Sequence, residues 1–210
     1  MIQSYITVAG RSAEELVINK SRFIGYAAPC DSEEQALSFL REIRDQHRSA
    51  THHCYAYIIG ENASVMRYSD NGEPAGTAGM PIMDVLRTRS IVNCCIVVVR
   101  YFGGVLLGTG GLVRAYTRSA QAAVEAAGVS RMELTSVDYC ELPYAAWDRF
   151  RYAADQLPVR LEDIDYGGMI SFHLLVRSAD RDAALAALME ASGRKLETLP
   201  EQEAFLPWKI

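Results

Sequence analysis

"VVVRYFGGVLLGTGGLVRAY", residues 97–116, is the stretch on which the reading of this chain turns. An apolar run ends at Arg100, five glycines follow among large apolar residues, and Arg114 stands on the far side. The order reads as buried strand, glycine-rich turn, helix. In that context the N–H groups at a helix N-terminus can hold an anion. The spacing fits no phosphate code in detail. Gly103 and Gly108 are separated as P-loop glycines are, but Thr109 stands where lysine is required. Gly108 and Gly110 begin a dinucleotide fingerprint, but Val113 replaces its third glycine. The alternative is steric, because glycines admit positive φ and let a helix lie close to a strand.

The rest of the chain sets bounds on the choice. Its 210 residues, half of them apolar, suffice for one large or two small domains with real cores. No apolar run is long enough to cross a membrane, and the start lacks the pattern of a signal peptide. The five cysteines (30, 54, 94, 95 and 140) form no CxxC pair and read as reduced thiols of a cytoplasmic protein. Cys94 and Cys95 sit inside an apolar run and read as strand packing. The net charge of −5 falls wholly on residues 131–210, while residues 1–130 balance at 0. Between 67 and 118 six arginines face three acids, so a basic patch is confined to the first half. Arginines outnumber lysines 18 to 3, and the guanidinium fork suits phosphate and carboxylate. The overall acidity argues against strong non-specific nucleic-acid binding.

Along the chain, 14–28 has a β-rich pattern with Lys20 and Arg22 on one side of a strand. A helix begins at Asp31 or Ser32, with Ala36, Leu37, Leu40 and Ile43 on one face. Residues 52–60 and 64–69 pair as strands. Residues 69–81 form a loop rich in Gly and Pro, and 80–88 a short helix. The buried strand of the opening stretch leads to a helix closed by Gly128. Its small residues permit close packing, and Arg114, Arg118, Gln121 and Glu125 form its polar face. After 130 the order is β-α-β-β-α-β: a strand at 130–142, a helix after Pro143, two strands about Gly167–Gly168, a capped helix from 178, and a strand near 195–205. That order is the ferredoxin-like split βαβ arrangement, so a boundary falls near 130, giving domains 1–130 and 131–210.

Several residues are candidates for chemistry. Asp70 and Glu73, with Ser69, Asn71 and Thr77, lie on a tightly shaped loop and suit Mg²⁺ binding or proton sharing, or else an Asx-turn. His52 and His53 are adjacent in a strand and so point to opposite faces. They cannot readily share a metal, no metal site or cofactor is expected, and one of them could enter a polar site. Cys54 beside them leaves a Cys–His nucleophile open.

"KSRFIGY", "THHCYAYIIG", "SDNGEPAGTAGMPI" and "VVVRYFGGVLLGTGGLVRAY" together resemble, in order and spacing, the signature blocks of the YigZ/IMPACT family across residues 20–116. The resemblance implies an α+β protein. Its N-terminal domain would be like domain 2 of ribosomal protein S5, with a left-handed crossover. Its C-terminal ferredoxin-like domain would be like a late domain of elongation factor G. Eukaryotic relatives regulate translation through protein partners of a stress kinase pathway, using a further domain that these blocks do not include. The leading expectation is a cytoplasmic, non-enzymatic, translation-linked protein whose first domain touches RNA or a ribosomal surface. Arg100 and Arg114 would meet phosphate, Lys20 and Arg22 would extend the patch, and Tyr101 or Phe102 would stack on a base. Gly103, Gly104, Gly108, Gly110 and Gly111 would let backbone approach. Two alternatives stand beside it. One is an enzyme for a small phosphorylated or peptide-like substrate, with Asp70, Glu73 and one of His52 and His53 at the glycine-rich turn. The other is a protein–protein adaptor using the acidic second domain.

Overall fold

A computed structural model describes residues 2–208. Residues 5–131 form one compact unit, and residues 132–208, together with 2–4, form a second. The architecture is two-domain α+β.

β1 (Ser4–Val8) opens the chain. The first unit is then built on β2 (Ser12–Ile18), β3 (Ser21–Pro29), α1 (Glu33–Gln46), β4 (His52–Ile59), β5 (Val65–Ser69), α2 (Gly79–Thr88), β6 (Cys94–Tyr101) and α3 (Gly108–Ala127). The strands form an antiparallel sheet in the order β2-β3-β6-β4-β5. β6 is central and apolar on both faces, as its continuous run requires. Cys94, Ile96 and Val98 pack with α2 and α3, while Cys95, Val97 and Val99 pack with α1. The vicinal cysteines therefore point apart, remain free thiols, and are both pushed up in pKa by burial.

The local code explains most elements. Ser32 caps α1, its hydroxyl accepting from Gln35 N–H, with Glu33 and Glu34 in the first turn. The buried stripe of α1 is Ala36, Phe39, Leu40 and Ile43. Leu37, expected on it, is 38% exposed because it lies off the i, i+3, i+4, i+7 line. Lys20, expected in a strand, sits instead in a two-residue hairpin turn. Asn19 and Lys20 both have positive φ (45° and 66°), as a type I′ turn requires. α3 lies close to the sheet at Gly25, where a Cβ would fall 2.4 Å from the Ser119 carbonyl oxygen.

The second unit comprises β7 (Val129–Leu142), α4 (Tyr144–Ala154), β8 (Val159–Tyr166), β9 (Ile170–Arg177), a 3₁₀ turn (Ser178–Asp180), α5 (Arg181–Ala191) and β10 (Glu197–Trp208). Its strands lie in the order β10-β7-β9-β8, and residues of both helices share one core with Phe172, Leu174 and Val176. Asp180 precedes α5 without a side-chain cap, contrary to the capped helix expected there. Arg181, the first residue of α5, pairs instead with the fully buried Asp138. Among the described residues no helix is long and apolar enough to cross a membrane.

Candidate binding site

The site forms where β3, β6 and β4 end side by side. Register places Phe23 and His52 on either side of Arg100. Strand alternation puts Arg100 on the same face as Cys94, Ile96 and Val98, beneath α3, and not in solvent. Its side chain is 6% exposed. It lies between the rings of Phe23 and Phe102, whose centroids are 5.3 and 5.5 Å away. Nη1 donates to Glu73 Oε1 at 2.7 Å and Nη2 to Ser21 Oγ at 3.4 Å, while Nε–H has no partner. Tyr116, fully buried on α3, donates its hydroxyl to the same Glu73 oxygen at 2.8 Å. Burial pushes the Tyr116 phenol far above its ordinary pKa, which keeps it a donor. His52 Nδ1 donates to the Asn71 carbonyl at 2.8 Å, and Nε2 lies 3.9 Å from Glu73 Oε1.

The loop that presents Glu73 is held by Asp70. The Asp70 carboxylate accepts from the N–H groups of Gly76, Ala78 and Gly79, satisfying the start of α2. Burial acts to raise its pKa, but the three N–H groups outweigh burial and the net shift is downward. Asp70 is thus a cap and does not join Glu73 in a carboxylate pair. Thr77 is likewise structural, donating to the Pro74 carbonyl at 2.7 Å. Asp70→Ala is expected to cost about 2 kcal/mol in urea denaturation at neutral pH. Its folded pKa is depressed, so its contribution is present above the ordinary carboxylate value and lost as pH falls below about 4, through the folded value. The stability difference between wild type and variant should therefore shrink in acid.

Beyond Arg100 the glycines divide by purpose. A Cβ on Gly103 would sit 2.0 Å from the Lys20 carbonyl, so Gly103 is steric. Gly104 and Gly108 have φ of 82° and 68° and supply the turn. Gly110 has nothing nearer than Arg114 Nη1 at 3.7 Å. α3 starts at Gly108 with Leu107 at its N-cap and no side-chain cap, and Gly108, Thr109 and Gly110 are exposed. This helix start opens on a cavity of about 410 Å³. Its polar lining includes His52, Glu73, Arg100 and Thr109, and its apolar lining Pro74, Phe102, Leu106, Leu107 and Leu112.

The other candidates lie elsewhere. Arg114 is exposed and lines a separate depression of about 190 Å³ with Arg118, Asn19 and Gly111, so it does not form one surface with Arg100. Lys20 is exposed in its turn. Arg22 is held by both oxygens of Glu15 and lies over the Tyr101 ring. Tyr101 bonds His47 Nδ1 at 2.8 Å, and His53 donates from Nε2 to the His47 carbonyl, both on the α1 side of the sheet. Burial lowers the His53 pKa. The Cys54 thiol is pushed up to about 12 by burial and donates to the Asp70 carbonyl, so it is not a nucleophile at neutral pH. Among the described residues no group of three or more His, Cys, Asp or Glu side chains is placed to hold a metal ion. Sequence reasoning missed Ser21, Phe23, Leu106 and Tyr116. Tyr116 did carry a signal, since a tyrosine on an otherwise small, apolar helix face needs a partner for its hydroxyl.

Residues 19–124 match the Impact N-terminal domain, and residues 140–194 match a domain of unknown function, DUF1949. IMPACT family member YvyE of Bacillus subtilis is 36% identical over 195 residues, covering 93% of this chain and 90% of that protein. IMPACT family member YigZ of Escherichia coli is 48% identical over 101 residues, 47% of this chain, and the match spans only 50% of that relative. A solved structure described as that of a hypothetical protein superposes with a TM-score of 0.62 at 30% identity, covering 96% of this chain and 99% of that one.

Proposed function

This chain belongs to the IMPACT family, and on that premise we propose that it is a non-catalytic regulator of translation whose first unit contacts RNA or a ribosomal surface. The observation that carries this reading is a pair of exposed arginines on α3. Arg114 and Arg118 flank the depression beside Asn19, Lys20 follows Asn19 in the exposed turn, and the described residues give neither arginine an ion-pair partner. Phe102, 47% exposed, offers a face for a base. Arg100 is excluded from direct phosphate contact on an RNA backbone by its burial and its pairing with Glu73. The phosphate contacts therefore fall to Arg114, Arg118 and Lys20. With so few of them, binding is modest and salt-sensitive.

Co-sedimentation with ribosomes, or binding to single-stranded RNA, across a salt series tests this. Arg114→Ala with Arg118→Ala should weaken association and reduce the salt slope by about 1.4, the share of two phosphate contacts on a single strand. Absence of salt-sensitive association in the wild type at low salt would overturn the reading. An enzyme acting on a small substrate is favoured by a different observation, the presence of His52 and Glu73 in one cavity with Thr109. That reading has lost Asp70 to α2 and Cys54 to the core.

A further inference from the structure

We propose that the cavity at the start of α3 binds a small organic phosphate. Its phosphate group would sit on the first N–H groups of α3 and on Arg100, and its apolar body against Phe102, Leu106 and Pro74. This goes beyond the RNA reading and does not depend on it.

Two independent observations meet in the cavity. The first is the helix start. Gly108 and Thr109 line the cavity, no side chain caps them, and a Cβ at Gly108 would meet nothing within 4 Å, which leaves the approach to the backbone open. Unpaired N–H groups there, with the helix dipole behind them, attract an oxyanion. The second is Arg100, more than nine-tenths buried, lining the same cavity with its Nε–H unpartnered. A buried guanidinium donor without an acceptor is uncommon in a finished core and calls for a ligand atom. Glu73 also lines the cavity, but its charge is taken up by Arg100 Nη1 and the Tyr116 hydroxyl through Oε1. Besides Glu73, the polar groups lining the cavity are the helix start, the Arg100 guanidinium, His52, Thr51 and Thr109.

The walls argue for a small molecule with an apolar body. Leu106 is 86% exposed and Phe102 47% exposed, and both line the cavity. Large apolar side chains held in solvent around a recess with a few polar groups fit ligand recognition better than core packing. The volume of about 410 Å³ lies within the range of small-ligand pockets.

Phenyl phosphate is the probe, with benzoate and benzylamine as comparison arms, titrated into the full chain by calorimetry and followed by thermal shift. The proposal expects saturable binding of phenyl phosphate, and weaker binding of benzoate and benzylamine. Thr109→Asp places a carboxylate at the helix start, where it favours the fold but competes for the same N–H groups. It should keep or raise the melting temperature while weakening phenyl phosphate at least about tenfold. Arg100→Gln should weaken it similarly, and if that variant does not fold, Thr109→Asp still decides. No saturable binding by the wild type, binding unchanged within about twofold in Thr109→Asp, or tighter binding of benzoate or benzylamine would each overturn the assignment.

Discussion

Glu73→Ala is expected to destabilise the protein by about 4 kcal/mol, the cost of leaving a buried arginine without its counter-charge. The Glu73 side chain is 3% exposed and that of Arg100 is 6% exposed, so little water is at hand to replace the lost partner. The Tyr116 hydroxyl would lose its acceptor at the same time. The whole of this cost is not the worth of the ion pair. Much of it is the penalty of an uncompensated charge, and the double variant Glu73→Leu with Arg100→Met should recover most of the loss. Urea denaturation of the two single variants and the double variant would measure this, with the midpoint moving and the slope unchanged. A loss below about 1 kcal/mol in Glu73→Ala would show that the pair is solvated and that the cavity floor opens to water.

Gly103→Ala is expected to cost about 3 kcal/mol or more, the second-largest effect. The added Cβ would meet the Lys20 carbonyl carbon and oxygen at 2.0 Å and Ser21 N at 2.4 Å. These are backbone atoms, and they cannot swing aside as a side chain would. Lys20 is itself held at positive φ in the turn, and Gly103 N–H donates to Ser21 Oγ at 3.2 Å. Relief would require moving either the β2–β3 hairpin or the β6–α3 connection. Gly110→Ala is the control seven residues on. It meets nothing closer than 3.7 Å, lies inside a helix, and should leave stability equal or raise it by about 0.5 kcal/mol. Thermal unfolding of the two variants side by side separates the steric glycine from one with open space around it. Equal effects would refute that division.

Much of the molecule was legible from local pattern. The cap at Ser32, the strand apolar on both faces, the helix closed by Gly128 and the hairpin about Gly167–Gly168 each rest on residues within a few positions of one another. The opposed directions of His52 and His53 followed from strand alternation alone. Expectations failed where a short signal had two solutions. Lys20 looked like a strand residue because its neighbours are, but the two positive φ values at 19 and 20 make it a turn. Asp70 and Glu73 looked like a pair because they are close in sequence, but one carboxylate turns to the start of α2 and the other turns inward to Arg100.

For the opening stretch the division is equally clear. Sequence alone determined strand, turn and helix, ruled out both nucleotide-loop patterns, and identified the blocks that mark the family. It could not say that Arg100 is buried while Arg114 is exposed, because both read as flanking cations. That was decided by the sheet order β3-β6-β4, which places Arg100 between Phe23 and His52 and under Tyr116. The partners of Arg100 come from residues 21, 23, 73 and 102, three of them distant in the chain. Local propensity acts over a few residues, whereas a buried charge is stabilised by whatever the tertiary fold brings within hydrogen-bonding distance.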